Sequence, residues 1–251
     1  MRRFFISKEQ SEEAKSGRVV LYGTDVNHIA NVLRMGTGDE LLLSATDGQE
    51  LHCLIESIRS DAVVCSVSFA SCNQTEPRVS VSLIQGVPKG EKMEFIIQKS
   101  VELGVCEIMP VMMERTIVRF HSAQDALKKQ NRWQKIAEEA AKQCGRGIVP
   151  QVHLPESFKA MLSKIPQDSL RLIAYENEQE YSLKSRIEEA TKSADVQHIC
   201  VIVGPEGGIS PEEFQWATDT GFESVSLGRR ILRTETAGIA VLSAIRYVFE
   251  D

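Results

Sequence analysis

From Arg78 to the C-terminus, short apolar runs alternate with longer stretches of helical period, and this alternation constrains the fold more than any other property of the chain. Residues 79–85, 105–111, 170–175, 198–203 and 224–227 are strand candidates. Residues 90–103, 122–143, 182–190, 210–220 and 236–249 carry helical patterning. Strands alternating with helices predict an α/β fold with a mostly parallel sheet covered by helices. Gly104, Gly145 and Gly221 stand where helix C-terminal caps belong. Within 90–103, Met93, Ile96, Ile97, Ser100 and Val101 share one face, and Gln98, Lys99 and Glu102 the other. The last helical stretch is apolar almost all round, which predicts burial on most sides, in the core or at a subunit interface.

Residues 1–72 follow a different pattern. A strand is expected at 18–22 and a helix at 25–33, where Val26, Ile29, Ala30 and Leu33 share a face. Residues 40–45 and 50–58 flank Asp47 and Gly48, a hairpin signal. Residues 62–69 alternate apolar and polar. Short strands at close spacing predict a small barrel. The polar stretch 71–77 is the candidate linker, which divides the chain into 1–72 and 73–251.

Two glycine-marked turns carry the chemistry. Gly204, Pro205, Glu206, Gly207 and Gly208 follow the apolar run 200–203; Ser210 is then placed to cap a helix with Pro211 at its first position. Leu227 and Gly228 open a second turn, with Arg229, Arg230 and Arg233 close behind and Thr234, Glu235 and Thr236 at the start of the last helix. Glu235 or Thr236 is expected to satisfy free N–H groups there. In an open α/β sheet, ligands bind beyond the carboxyl ends of the strands. Glycine lets a ligand approach the backbone. Arginine offers forked hydrogen bonds to an anionic or polar partner.

The bulk composition narrows the function classes. With 251 residues, 42% apolar and 25% charged, the chain can bury a sizeable core. Its net charge of −6 means that nucleic acid must be met by a local basic patch. Lys128, Lys129, Arg132, Lys135, Lys142 and Arg146, set against Glu138 and Glu139, are together with Arg2, Arg3 and Arg34 the candidates for such a surface; Lys89 and Lys92 are placed to meet phosphate. The six cysteines form no C-x-x-C pair, so free thiols in a reducing cytoplasm are expected and no metal site is. The apolar start is too short for a signal peptide, and the longest late uncharged run, residues 236–245, falls far short of the roughly 20 residues that span a membrane. Neither a phosphate-binding G-x-x-x-x-G-K-[ST], nor a G-x-G-x-x-G, nor a G-x-S-x-G motif is present.

With these residues in view, the chain resembles the RsmE family of the SPOUT superfamily, methyltransferases acting on uracil N3 in 16S rRNA. The resemblance spans nearly the whole chain. It includes Arg2 to Phe4, His28 to Arg34, Gly38-Asp39, Lys89-Gly90, Gln98-Lys99, Glu102 to Gly104, Pro110, Arg115, Arg132-Trp133 and residues 141–146. Its most specific parts are residues 204–208, Leu227-Gly228 and residues 230–237; Ile209 is a mild departure. The resemblance implies a PUA-like RNA-holding barrel, a trefoil-knotted α/β domain, S-adenosylmethionine as methyl donor and a homodimer. It places the donor against Gly204, Pro205, Glu206, Gly207, Gly208, Leu227, Gly228, Ile231, Leu232, Arg233, Thr236 and Ala237. Lys99 and Arg115 join the expected RNA contacts. Methylation at N3 requires loss of a proton, which needs a base or an anion-stabilising group. Arg230 and Arg233 are the candidates for stabilising the anion, and Glu206 is the candidate base. Two alternatives stay open: a SPOUT enzyme acting on tRNA or 23S rRNA, and a non-catalytic RNA-binding or assembly factor.

Overall fold

The computed structural model describes residues 1–45, 48–192 and 196–250, which fall into two compact units. The first comprises Met1–Glu76 with Ala141–Val149. Its elements are β1 (Arg2–Ile6), α1 (Lys8–Ala14), β2 (Arg18–Tyr22), α2 (Thr24–Asn27) continued by a π-helical turn (His28–Val32), β3 (Glu40–Ala45), β4 (Gln49–Ile58) and β5 (Ala62–Cys72). The strands form one sheet in the order β1-β3-β4-β5-β2, parallel at β1-β3 and antiparallel elsewhere. Alternation of β3 to β5 turns one face inward, where Leu41, Leu43, Ile55, Val63 and Cys65 pack on Phe4, Leu21 and Ile29. Register shifts between His52 and Cys53 and between Ile55 and Ser57 bend the β4-β5 pair. Of the expected hairpin turn, Gly48 takes φ +81°, and Asp47 lies outside the described residues.

Strand β1 and helix α1 were not legible in the sequence. Arg3 is accommodated because its Nη1 donates to Ser44 Oγ at 2.7 Å and to Glu50 Oε1 at 2.5 Å, with both charged side chains 13% exposed. Arg146, expected at an RNA surface, is instead buried: its guanidinium donates to both carboxylate oxygens of Glu76, which also accepts the N–H of Gly147 and Ile148. A buried cation held by a fork of this kind serves the fold. Arg146→Ala is expected to destabilise the protein by about 2–4 kcal/mol, because it strands the carboxylate. A lower urea midpoint with an unchanged slope would report that loss.

The second unit comprises Pro77–Ala140 and Pro150–Asp251. It contains β6 (Ser80–Gly86), α3 (Lys92–Glu102), β7 (Glu107–Met112), most of α4 (Ala123–Cys144), β8 (Gln151–Val152), β9 (Glu156–Ser157), α5 (Phe158–Leu162), β10 (Leu170–Ala174), α6 (Leu183–Ala190), β11 (His198–Val203), α7 (Pro211–Asp219), β12 (Glu223–Val225) and α8 (Thr234–Phe249). The sheet runs β12-β10-β11-β6-β7-β8, all parallel, with β9 also on β7. Central β11 is a continuous apolar run with Ile199 to Ile202 wholly buried, as a strand covered on both faces requires. Helix α3 buries Met93, Ile96, Ile97, Ser100 and Val101, the face its period predicts. Gly104, Gly145 and Gly221 have φ near +80°, as left-handed helix caps. Helix α8 packs against α3 and α6 and within the single chain buries one stripe, Thr234, Ala237, Gly238, Val241, Leu242 and Ile245. Its Tyr247 is 81% exposed and Val248 37% exposed.

Candidate active site

A cleft of about 560 Å³ opens at the carboxyl ends of β10, β11 and β12. In a parallel sheet this edge gathers the strand-to-helix loops, so groups distant in sequence meet there. One wall is the loop after β11, whose Gly204, Pro205, Glu206, Gly208 and Ile209 face the cleft. The opposite wall is Ser226 to Thr234, with Ala237 behind it. Ala174, Tyr175 and Glu176 at the end of β10 close one side, and Lys89 and Lys92 another.

The first loop is pinned from several directions. Gly204 O accepts the Thr234 hydroxyl at 2.6 Å, and that hydroxyl accepts Gln85 Nε2 at 2.9 Å. Ser210 and Glu213 form a reciprocal capping box at the start of α7. Glu213 is 3% exposed, and its second oxygen accepts the Glu114 N–H at 2.7 Å, which ties α7 to the segment after β7. Arg115 Nη1 donates to Gly207 O at 3.0 Å. Gly208 takes φ +74°, a conformation costly for any residue with a Cβ. The end of β6 presses directly on this loop, since a Cβ at Gly86 would lie 2.5 Å from Pro205 Cδ.

The second loop is more open. Arg229, Arg230, Ile231 and Arg233 are exposed, and Ile231 is 83% exposed. Arg233 is the N-cap residue, without a side-chain cap; its carbonyl accepts the N–H of Thr236 and Ala237, and the Glu235 carboxylate meets its own backbone N–H. Thr234 reaches the first loop, and Glu235 reaches α3. Lys92 Nζ lies 3.1 Å from Glu206 Oε1 and 3.1 Å from Glu235 Oε2. Hydrogen bonding to Glu206 and then to Glu235 holds the Lys92 ammonium above its ordinary pKa, against a smaller effect of desolvation. Burial opposes ionisation of both carboxyls. Their own backbone N–H groups and Lys92 outweigh it, helped by the Lys89 N–H at Glu206 and by Arg233 at Glu235, and both stay below the usual carboxylate range.

The structure thus gathers most of the sequence-predicted cleft residues. Gly204, Pro205, Glu206, Gly208, Leu227, Gly228, Arg230, Ile231, Leu232, Arg233 and Ala237 line the cleft; Gly207 and Thr236 do not. Lys89 and Lys92, expected at phosphate, stand on its wall. Of the other expected RNA contacts, Lys99 pairs with Glu102 and Arg132 with Glu94, while Arg2 and Arg34 are exposed. Gln85, Gly86, Tyr175 and Glu176 were missed. The signal was available for Gly86, a glycine ending an apolar run as at Gly204; nothing in the local sequence marks the others.

A second polar group lies toward the amino ends of the strands. There Cys106, Glu107 and His198 bring one potential ligand atom each within 4.8 Å of one another. The Ser82 hydroxyl sits among them, 2.5 Å from Glu107 Oε1 and 2.7 Å from His198 Nε2, and His153 Nε2 lies 2.6 Å from Glu107 Oε2. These contacts join β6, β7 and β11 with the segment after β8.

Comparison with known proteins agrees with this geometry. A family described as an RNA methyltransferase domain matches residues 75–246, and one described as an RNA methyltransferase PUA domain matches residues 21–68. The chain is similar to the ribosomal RNA small subunit methyltransferase E of Bacillus subtilis (strain 168), at 37% identity over 100% of this chain and 98% of that protein. The protein of the same name from Mesomycoplasma hyopneumoniae (strain 232) is 30% identical, over 97% and 98%. Among solved structures, a ribosomal RNA small subunit methyltransferase E from Neisseria gonorrhoeae bound to S-adenosyl methionine superposes with TM-score 0.85 at 32% identity, covering 99% and 98% of the two chains. A methyltransferase structure from Legionella pneumophila, in complex with the same cofactor, gives 0.82 at 29%, covering 98% and 97%. With full-length kinship and both domain matches in place, this α/β chain with its PUA-like N-terminal region belongs to the ribosomal RNA small subunit methyltransferase E family.

Proposed function

We propose that this protein transfers a methyl group from S-adenosylmethionine to N3 of a uridine in the 16S rRNA of the small ribosomal subunit. The observation that carries this reading is the convergence of two glycine-turn loops, 204–208 and 226–233, on one cleft. Its volume falls in the range of small-molecule sites, and the glycines leave backbone groups open to a ligand. The donor, when bound, supplies a methyl activated by its sulfonium. Residues 204–208 and 227–237 hold it.

Arg230 and Arg233, exposed beside the cleft, stabilise the negative charge that spreads over the uracil oxygens as the N3 proton passes to solvent water and the freed nitrogen pair takes the methyl. Glu206 is poorly suited as the base: burial favours its protonation, but its own backbone N–H, Lys92 and the Lys89 N–H together outweigh that and lower its affinity for a proton. Its role in this reading is to shape the loop. Arg2 and Arg34 on the first unit present exposed charge for phosphate, consistent with a PUA-like unit (residues 1–72 in the proposed division) that holds RNA. The protein acts as a homodimer in the cytoplasm. The exposed Tyr247 and Val248 of α8 support the first point, and six cysteines outside any disulfide the second. No helix among the described residues is long and apolar enough to cross a membrane.

Transfer of labelled methyl to 30S particles, naked 16S rRNA and tRNA, followed by nucleoside analysis, tests the reaction. Label is expected in N3-methyluridine from 16S rRNA, free or assembled. Label confined to tRNA, or none at all, would overturn it. The logarithm of the affinity for a 16S fragment is also expected to fall linearly with log salt concentration, and a flat response would contradict the phosphate contacts.

A further inference from the structure

We propose that Lys92 is a positioning residue that couples the two donor-binding loops, an inference resting on the reading of the cleft as the S-adenosylmethionine site. Lys92 opens α3, Glu206 belongs to the loop after β11, and Glu235 lies in the first turn of α8. One ammonium, 3.1 Å from each carboxylate, therefore joins three separate parts of the chain. The Lys89 N–H reinforces the grip by donating to both oxygens of Glu206, at 3.2 and 3.3 Å. The three charged side chains are 28%, 24% and 18% exposed, so water screens them only in part. Glu235 Oε2 is buried, and among the described residues the Lys92 ammonium is the cation within ion-pair distance of it. An ammonium occupied on two sides by carboxylates is badly placed to bind RNA phosphate, the role its position in the sequence suggests.

The consequence is a specific pH behaviour. The other charged side chains lining the cleft are Lys89, Glu176, Arg229, Arg230 and Arg233. With both carboxyls held below their ordinary range and Lys92 above its own, the triad stays ionised from mildly acidic to alkaline pH. Donor affinity then has no reason to change with the state of the triad across neutrality. Without Lys92, Glu206 and Glu235 face the same space as like charges, with only backbone N–H groups and Arg233 left to offset them. They repel, the loops part, and each raises the pKa of the other. The damage then lessens as pH falls and one carboxyl takes a proton.

Calorimetry with S-adenosylmethionine at about pH 8 and about pH 5.5 tests this on four proteins: wild type, Lys92→Met, Lys92→Arg and the double variant Lys92→Met with Glu235→Gln. Lys92→Met is expected to bind about tenfold more weakly at the higher pH and to recover part of the loss at the lower one. Lys92→Arg keeps the cation and is expected within about threefold of wild type. The double variant, which removes the repulsion along with the lysine, is expected to regain most of the affinity. Equal affinity of wild type and Lys92→Met at both pH values would overturn the inference. So would a loss that is the same at both pH values and persists in the double variant. If Lys92→Met does not fold, the double variant decides: folded and donor-binding supports the coupling, and unfolded or non-binding refutes it. The wild-type titration alone decides the donor reading, so the two failures are distinguishable.

Discussion

Arg233→Ala is expected to lower the rate of methyl transfer by about 100- to 1000-fold while changing S-adenosylmethionine affinity by less than about threefold. The size follows from what one donor to a developing anion contributes once bound RNA has covered the cleft and excluded water from it. The selectivity follows from the position of Arg233. Its carbonyl accepts the Thr236 and Ala237 N–H groups and so builds the start of α8, a backbone role that alanine keeps. Its side chain is exposed beside the cleft and makes no capping hydrogen bond. The loss should therefore appear in kcat with RNA saturating, and thermal stability should hold. Arg233→Lys keeps the charge without the planar fork, so partial activity is expected of it. Full activity of Arg233→Ala would remove the residue from the reaction.

Gly86→Ala is expected to act on the other step, weakening donor binding by about 5- to 150-fold. The new Cβ would stand 2.5 Å from Pro205 Cδ and 2.6 Å from Pro205 N. One of these is a backbone atom, so no rotamer change relieves the overlap. Gly86 does not use the left-handed region, and conformational strain is therefore not the cause. The first loop must move off the end of β6, and overpacking of this kind costs about 1–3 kcal/mol, enough to displace a loop whose position defines the cleft. Titration of the variant with S-adenosylmethionine, with circular dichroism to confirm the fold, checks the prediction. Near-wild-type affinity would show that the contact between β6 and the loop does not set the cleft.

The sequence revealed what depends on local pattern. Strand β11 was legible because, after His198, a parallel strand buried on both faces is an uninterrupted apolar run. The buried face of α3 followed from helical period, and the glycine caps from their places at helix ends. Both cleft loops stood out because glycine, proline and charge follow directly on apolar runs. What escaped depends on distant partners. Strand β1 carries two arginines in five residues, and its pairing with β3 becomes possible only once Glu50 and Ser44 meet Arg3. Strands β8 and β9 have two residues each, too short for any period. Arg146 and Lys92 looked like surface cations because nothing near them in sequence announces Glu76, Glu206 or Glu235. Charge on a page has no direction, and only the fold decides whether it meets water, carboxylate or phosphate.

A crystal structure of the protein grown with S-adenosylmethionine tests the central claim most directly. The donor is expected to contact the backbone of both the 204–208 loop and the 226–233 loop, with its methyl open toward Arg230 and Arg233. A donor bound elsewhere, or touching only one of the two loops, would contradict the account.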